Sequence, residues 1–165
     1  MGIELLRTIK TMDQIEDVCK LADEIWTEHY TPIIGKAQVE YMLDKFQSPS
    51  AVLQQLKEGY RYYFIMSGGH TAGYTAIKPE ETRLFLSKIY VCRAYRQQGL
   101  AGGAVQSIAE MARELNLDRI YLTVNKHNDQ SIAAYERMGF ANVKEAVADI
   151  GNGYVMDDYI MEMTI

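Results

Sequence analysis

Residues 95–114 read YRQQGLAGGAVQSIAEMARE, and within them a strand gives way to a glycine-rich turn that opens a helix. Three glycines stand within five positions at the start of this helix. The first turn of a helix has four backbone N–H groups without internal partners, and it lies at the positive end of the helix dipole. Glycines let a ligand approach such a backbone closely. The stretch therefore predicts a binding site for an anion such as a diphosphate.

Three phosphate-binding motifs are alternatives for these glycines. A Walker loop requires a Lys followed by Ser or Thr after the glycines, and a dinucleotide fingerprint requires the spacing GxGxxG. The sequence has neither, because its spacing is G-L-A-G-G. The segment from Arg96 to Ala101, RQQGLA, fits the third pattern, [RQ]-x-x-G-x-[GA]. Because ordinary strand-to-helix turns also fit this short pattern, the surrounding chain has to decide.

The surrounding chain predicts a single α/β domain over residues 1–165. A capping-box spacing from Thr11 to Gln14 opens an amphipathic helix, and a turn is expected at Thr31-Pro32. Two shorter helices follow, and after residue 59 the period changes to that of strands. The predicted order is one strand, three helices, three strands, a helix, a strand, a helix and two strands. Such an order indicates a mixed α/β fold.

Composition excludes several classes of protein. The chain has 165 residues, 48% of them hydrophobic, and a formal net charge of −5, so no general attraction to nucleic acid or anionic membranes is expected. Cys19 and Cys92 lie far apart and form no CxxC pair, so we expect neither a metal site nor a disulfide framework. No apolar run reaches membrane-spanning length. These features favour a cytoplasmic protein.

Two segments resemble signatures of the GCN5-related N-acetyltransferase (GNAT) family. They are IYVCRAYRQQGLAGGAV, which contains the glycine-rich loop, and LTVNKHNDQSIAAYERMGF, which follows about 20 residues later. The layout is also similar to polyamine N-acetyltransferases of the PaiA type, notably at IWTEHYTP and DDYIMEM. The resemblance implies a mixed, mostly antiparallel twisted sheet of about seven strands, flanked by helices, with a splay between two parallel strands. It also implies an enzyme that uses acetyl-CoA and needs no metal.

The resemblance implies a set of contacts with coenzyme A. Strand residues give backbone bonds to the pantetheine arm, the loop holds the pyrophosphate, and the start of the following helix lies near the cofactor. The implied residues are Ile89, Tyr90, Val91, Arg96, Gln97, Gln98, Gly99, Leu100, Ala101, Gly102, Asn128 and Ser131. Two alternatives stay open, since the Arg96 side chain also suits a solvated surface charge and Asn128 also suits a helix N-cap.

Tyr135 is the residue that the resemblance implies as the catalytic acid. A phenol can protonate the departing thiolate at neutral pH, because its ordinary pKa is about 10. The general base is not identified, since the strand before the loop reads Leu86-Ser87-Lys88 and has no carboxylate. A water relayed through Ser87, or the side chain of Glu28 or His29, remains an alternative. Without a base, a non-catalytic acyl-CoA-binding regulatory module also stays open.

Residues for the acceptor amine are expected in the first helices and the last hairpin. We predict that Trp26, Tyr30 and Tyr41 form an aromatic wall and that Asp157 or Asp158 attracts a cationic amine, with Asp157 as the chosen residue. Because adjacent residues of a strand face opposite ways, at most one of Asp157 and Asp158 can face the cleft. The acceptor class is left open between a polyamine, an amino acid, an antibiotic and a peptide amine. A homodimer is one alternative for the assembly.

Overall fold

The computed structural model describes residues 4–165, and the predicted order of elements is confirmed. The elements, with a short 3-10 turn at Arg93–Tyr95 after the fourth strand, are β1 (Leu6–Thr8), α1 (Met12–Ile34), α2 (Lys36–Gln47), α3 (Pro49–Lys57), β2 (Arg61–Ser67), β3 (His70–Pro79), β4 (Leu84–Val91), α4 (Leu100–Glu114), β5 (Arg119–Asn125), α5 (Asp129–Met138), β6 (Ala141–Gly151) and β7 (Tyr154–Thr164). Among these residues, no helix is both long and apolar enough to cross a membrane.

The seven strands form one sheet in the order β1-β2-β3-β4-β5-β7-β6. Neighbours are antiparallel except β4 and β5, which are parallel. The paired register of β4 and β5 consists of Leu84 with Ile120 and Phe85 with Tyr121. Both strands continue beyond these pairs, to Val91 and to Asn125, and there they separate. The splay expected from the resemblance is therefore confirmed, and it leaves a gap in the middle of the sheet.

Helices cover both faces at the centre of the sheet, whereas the edge strand β6 is mostly exposed. On one face α4 packs over β4 and β5, with Ile108 and Leu122 among the buried side chains. On the other face α1, α2 and α3 pack over β2 and β3, and this core contains Trp26, Tyr62 and Tyr74. Beyond the paired residues no strand fills the space between β4 and β5, so the gap opens toward both layers.

Helix α1 differs from the prediction at its end. Both halves of the expected capping box are present, with the Thr11 hydroxyl accepting from the Gln14 N–H and the Gln14 side chain accepting from the Thr11 N–H. The turn predicted at Thr31-Pro32 is wrong, because the helix continues through Pro32 to Ile34. A proline removes one backbone hydrogen bond, but in the last turn the loss is small beside the packing of the helix on the sheet. The extension keeps Tyr30 on a helical face.

Candidate active site

A cavity of about 780 Å³ lies at the gap on the α4 side of the sheet. Its walls come from the separated ends of β4 and β5, from the loop before α4 and from one face of α5. It brings together all the residues predicted to contact coenzyme A except the exposed Gln98, namely Ile89, Tyr90, Val91, Arg96, Gln97, Gly99, Leu100, Ala101, Gly102, Asn128 and Ser131. The acid candidate Tyr135 lines the same cavity.

The loop before α4 presents free backbone amides to this cavity. Gly99 stands at the N-cap in a left-handed conformation, with φ of 77°, and the first backbone bond of the helix runs from the Gly103 N–H to the Gly99 carbonyl, 3.0 Å away. The N–H groups before Gly103 thus precede the hydrogen-bond ladder of the helix. A Cβ built at Gly99 or Gly102 would meet open space. The backbone is therefore accessible to a ligand, and its chemistry fits a diphosphate.

Arg96 holds the loop against helix α1. Its guanidinium donates to both carboxylate oxygens of Glu28, at 3.0 and 2.9 Å, and its Nε donates to the Val91 carbonyl at 2.9 Å. The hydrogen bond from Arg96 is the main reason that the pKa of Glu28 is lowered. A carboxylate with a lowered pKa is a weaker proton acceptor, so Glu28 is a poor base. The Arg96 guanidinium is therefore engaged with Glu28 and Val91 while Arg96 also lines the cavity, and its contact with a pyrophosphate stays a prediction.

Asn128 caps helix α5 and also contacts His29. Its Oδ1 accepts from the Ser131 N–H at 3.4 Å, and its Nδ2 lies 3.0 Å from Nε2 of His29. Because an amide NH2 group only donates, Nε2 of His29 is the acceptor in this pair. Burial, aided by the nearby Arg96, lowers the pKa of His29, which keeps the ring neutral at neutral pH. His29 lines the cavity beside Asn128, with one ring nitrogen already occupied.

Tyr135 belongs to a group of tyrosines at the gap. Its ring packs edge-on against Phe140, with centroids 5.9 Å apart. Burial, with a smaller contribution from Tyr30, raises the pKa of Tyr135, so its hydroxyl is protonated at neutral pH and can donate. The hydroxyls of Tyr30 and Tyr90 lie 2.9 Å apart, and burial raises the pKa of Tyr30 to about 12.

A second cavity, of about 460 Å³, lies on the opposite face under α1, α2 and α3. Of the three predicted aromatic residues, Trp26 and Tyr30 line it, whereas Tyr41 does not, and its hydroxyl donates to the Ile150 carbonyl. The two cavities meet at the gap, because six residues line both of them, namely Tyr30, Ser87, Lys88, Tyr90, Thr123 and Val124. A group that enters from one face can therefore reach a group that enters from the other.

The aspartate in this second cavity is Asp158, not the predicted Asp157. Along β7 the side chains of Tyr154 and Met156 pack with the α1–α3 layer, and Asp158 follows the same alternation. Asp157 lines neither of the two cavities, and its Oδ1 lies 2.9 Å from Nζ of Lys126. Only 6% of Asp158 is exposed. Burial, with Asp157 as a second cause, raises the pKa of Asp158 to about 6.

Lys88 is a cavity residue that the sequence reasoning missed. It lies on β4, its Nζ donates to the Ser87 hydroxyl at 2.9 Å, and its ammonium lies 5.9 Å from the ring centroids of both Tyr60 and Tyr62. Burial lowers the pKa of Lys88 to about 8. The signal was the single charged residue in the otherwise apolar strand LFLSKIYV. An isolated lysine in such a strand needs a reason, since burying a charge is costly.

Comparisons with known proteins agree with this geometry. The model of the Acetyltransferase (GNAT) family matches residues 16–140. The crystal structure of the PaiA N-acetyltransferase from Thermoplasma acidophilum in complex with coenzyme A superposes with a TM-score of 0.81 over 100% of both chains. Since only 18% of its residues are identical, this likeness shows a shared fold.

Two curated relatives match parts of the sequence. The uncharacterized N-acetyltransferase YdgE of Bacillus subtilis is 39% identical over 57 residues, which cover 34% of this chain and 36% of the relative. The uncharacterized N-acetyltransferase YjgM of Escherichia coli is 31% identical over 98 residues, which cover 57% of this chain and 59% of the relative. Less than two thirds of either relative is therefore matched.

Proposed function

The chain belongs to the GNAT acetyltransferase family, and on that premise we propose that it transfers an acetyl group from acetyl-CoA to the primary amine of a small molecule or peptide. Both reactants are held at once, and the amine attacks directly. The observation that carries this proposal is the meeting of two cavities at the gap between β4 and β5. One has the free amides of a helix start, and the other has a buried carboxylate.

The cavity on the α4 side is the proposed site for acetyl-CoA, which supplies an acetyl group activated as a thioester. The amides of residues 99–102 hold the diphosphate at the helix start, where the helix dipole favours negative charge. The backbone of Ile89–Val91 runs along the gap and is free of β5 there, so it can bond to the pantetheine arm as a further strand would. Both expectations from the resemblance fit the residues at this cavity.

We assign the role of general base to Asp158. It is a buried carboxylate in the acceptor cavity, and its pKa of about 6 lies closer to neutral pH than that of an ordinary aspartate. Glu28 is engaged by Arg96, and His29 accepts from Asn128, so neither is free to accept a proton. In this assignment a carboxylate on β7 takes the place of the one missing from β4, which favours an enzyme over a non-catalytic module.

Asp158 and Tyr135 together account for every proton that moves in the acetyl transfer. Asp158 takes one proton from the ammonium of the acceptor, which gives the neutral amine that can attack. Tyr135 donates its hydroxyl proton to the sulfur as the nitrogen–carbon bond forms and the carbon–sulfur bond breaks. The nitrogen releases a second proton, which restores the Tyr135 hydroxyl, and Asp158 returns its proton to water. No covalent acyl-enzyme is required.

The test is an incubation of the purified protein with acetyl-CoA and a mixed panel of amines. Free thiol is measured over time, and the products are identified by mass spectrometry. We expect thiol release that depends on the amine, together with an acetylated amine. Release at the same rate without any amine would show simple thioester hydrolysis, and binding of acetyl-CoA with no release would restore the non-catalytic alternative. Either result contradicts the proposal.

A further inference from the structure

The acceptor cavity contains two opposite charges that do not pair with each other. Asp158 and Lys88 both line it. Within residues 4–165 the Lys88 ammonium contacts the Ser87 hydroxyl and the faces of two tyrosine rings, and no carboxylate pairs with it. In the same part of the chain, no cation pairs with Asp158, whereas its neighbour Asp157 has Lys126. Lys45 and Glu58 also line the cavity, but both are exposed, so Asp158 and Lys88 are its two shielded charges, and each lacks an ionic partner.

The two charges lie on opposite sides of the gap but on the same face of the sheet. Lys88 is on β4, and its ammonium lies close to the rings of Tyr60 and Tyr62, away from β5. Asp158 is on β7, beyond β5, where it is level with Asn125. Strands two positions apart in a sheet are separated by about 10 Å. The separation of β4 and β5 widens this spacing, and within residues 4–165 the two side chains form no ion pair, yet a small molecule that crosses the gap can touch both.

Asp158 is buried and Lys88 is half-buried, and a ligand can remove the cost of shielding these two charges from water. An ionised group taken out of water is destabilised unless an opposite charge or several hydrogen bonds compensate it. The direction of both pKa shifts agrees with missing partners, since burial raises the pKa of Asp158 and lowers that of Lys88. A ligand with both a cation and an anion would compensate the two groups together. A ligand with cations alone would compensate Asp158 and be repelled by Lys88.

We propose that the acceptor is an amine that also carries an anionic group, a carboxylate or a phosphate. Its ammonium is held by Asp158 and its anionic group by Lys88. The aromatic wall of Trp26 and Tyr30, which are both on α1, lines the same cavity. The cavity volume of about 460 Å³ is within the range of small-molecule sites. This inference rests on the proposed function, because it names the acceptor class for that reaction. It excludes polyamines as the preferred acceptors.

The test measures binding separately from transfer. The protein is saturated with coenzyme A, which carries no acetyl group, and calorimetry compares γ-aminobutyrate and O-phosphoethanolamine with n-butylamine and spermidine. We expect the two anionic amines to bind at least about 10-fold more tightly than the two purely cationic ones. The stronger of the two anionic probes then identifies carboxylate or phosphate as the recognised group. Equal or tighter binding of n-butylamine or spermidine overturns the inference, as does the absence of binding by all four.

Three variants connect the preference to Lys88. Lys88→Met should abolish the preference for anionic amines, and Lys88→Arg should retain most of it, because the positive charge remains. Lys78→Met is the matched control, since the Lys78 ammonium also lies over the Tyr60 ring, at 5.0 Å, but does not line the cavity. A preference that survives in Lys88→Met, or that is lost equally in Lys78→Met, contradicts the assignment. If anionic amines bind but acetyl-CoA releases no thiol with any amine, the proposed function fails while the recognition result stands.

Discussion

The two cavities that meet at the gap are built from different parts of the chain. The cavity on the α4 side is lined mainly by residues that are close in the sequence, from the end of β4 through the loop to the start of α4, together with β5, α5 and two residues of α1. The cavity on the other face is lined by residues of α1, α2, α3, β4, β5 and β7, which are far apart in the sequence. The first can bind any ligand with the same diphosphate and pantetheine chemistry, whereas the second has its own arrangement of charges. In the proposed function, cofactor binding and the choice of acceptor thus depend on opposite faces of one sheet.

The largest effect is expected from filling the cavity on the α4 side. In Gly102→Phe the ring should enter the open space at the helix start and block the diphosphate. Loss of about two charge-assisted hydrogen bonds would weaken binding of coenzyme A by roughly 1000-fold, as measured by calorimetry. Gln106→Phe is the matched control, because Gln106 is exposed on the same helix and does not line the cavity. Tight binding by Gly102→Phe would disprove the assignment of the loop.

The next effect separates chemistry from binding. Tyr135→Phe removes the proposed proton donor to the sulfur and should lower kcat by about 100-fold or more. The affinity for coenzyme A should stay nearly unchanged, because the hydroxyl is not needed to hold the cofactor. Tyr121→Phe is the control, since the Tyr121 hydroxyl donates to Glu80 outside both cavities. A variant with full turnover would remove Tyr135 from the mechanism.

Asp158→Asn is expected to change activity and stability in opposite directions. The wild-type rate should fall as the pH drops below about 6, and the variant should lose about 10- to 100-fold in rate together with this pH dependence. The folded-state pKa is raised from 3.8, so the native state holds the proton more strongly than the unfolded state. The wild type therefore loses stability as the pH rises from 3.8 to about 6, and above this range the loss is complete.

Thermal unfolding checks the second half of that prediction. At pH 8 the Asn variant should be more stable than the wild type by about 3 kcal/mol, and the difference should shrink toward zero at pH 4. Asp44→Asn is the control, because Asp44 is exposed on α2 and lines neither cavity. A destabilised Asp158→Asn variant at pH 8 would mean that the carboxylate has an unrecognised stabilising partner.

The smallest effect concerns the link between the two layers. Arg96→Gln and Glu28→Gln should each cost about 1 kcal/mol or less of stability, since both side chains are about one third exposed. The pKa of Glu28 is lowered, so its contribution is present above its ordinary value and is lost as the pH falls through the lowered value. If Arg96 serves to hold α1 on the loop, the double variant should bind coenzyme A no worse than either single variant. An additional loss in every Arg96 variant would instead indicate direct contact with the pyrophosphate.

Local signals predicted the elements well and the acceptor cavity poorly. The capping box at Thr11 and the left-handed glycine at position 99 depend on neighbouring residues, so the sequence shows them directly. Pro32 was misread because a proline disfavours a helix locally, while the packing of α1 on the sheet extends it. The choice between Asp157 and Asp158 depends on the phase of β7, which a run of polar and apolar residues such as YVMDDYIMEM does not define.

The amino-acid sequence by itself determined the order of elements, the single α/β domain, and the loop whose unpaired amides begin helix α4. These features depend on hydrogen bonds and side-chain periodicity among residues that are close in the sequence. Such local interactions change little with the rest of the fold. Only the tertiary structure decided that Arg96 binds Glu28, that Asn128 contacts His29, and that Asp158 and Lys88 share a cavity. Those contacts join segments up to 99 residues apart, and they depend on strand phase and on how layers pack. Neither quantity is set by residues that are adjacent along the chain.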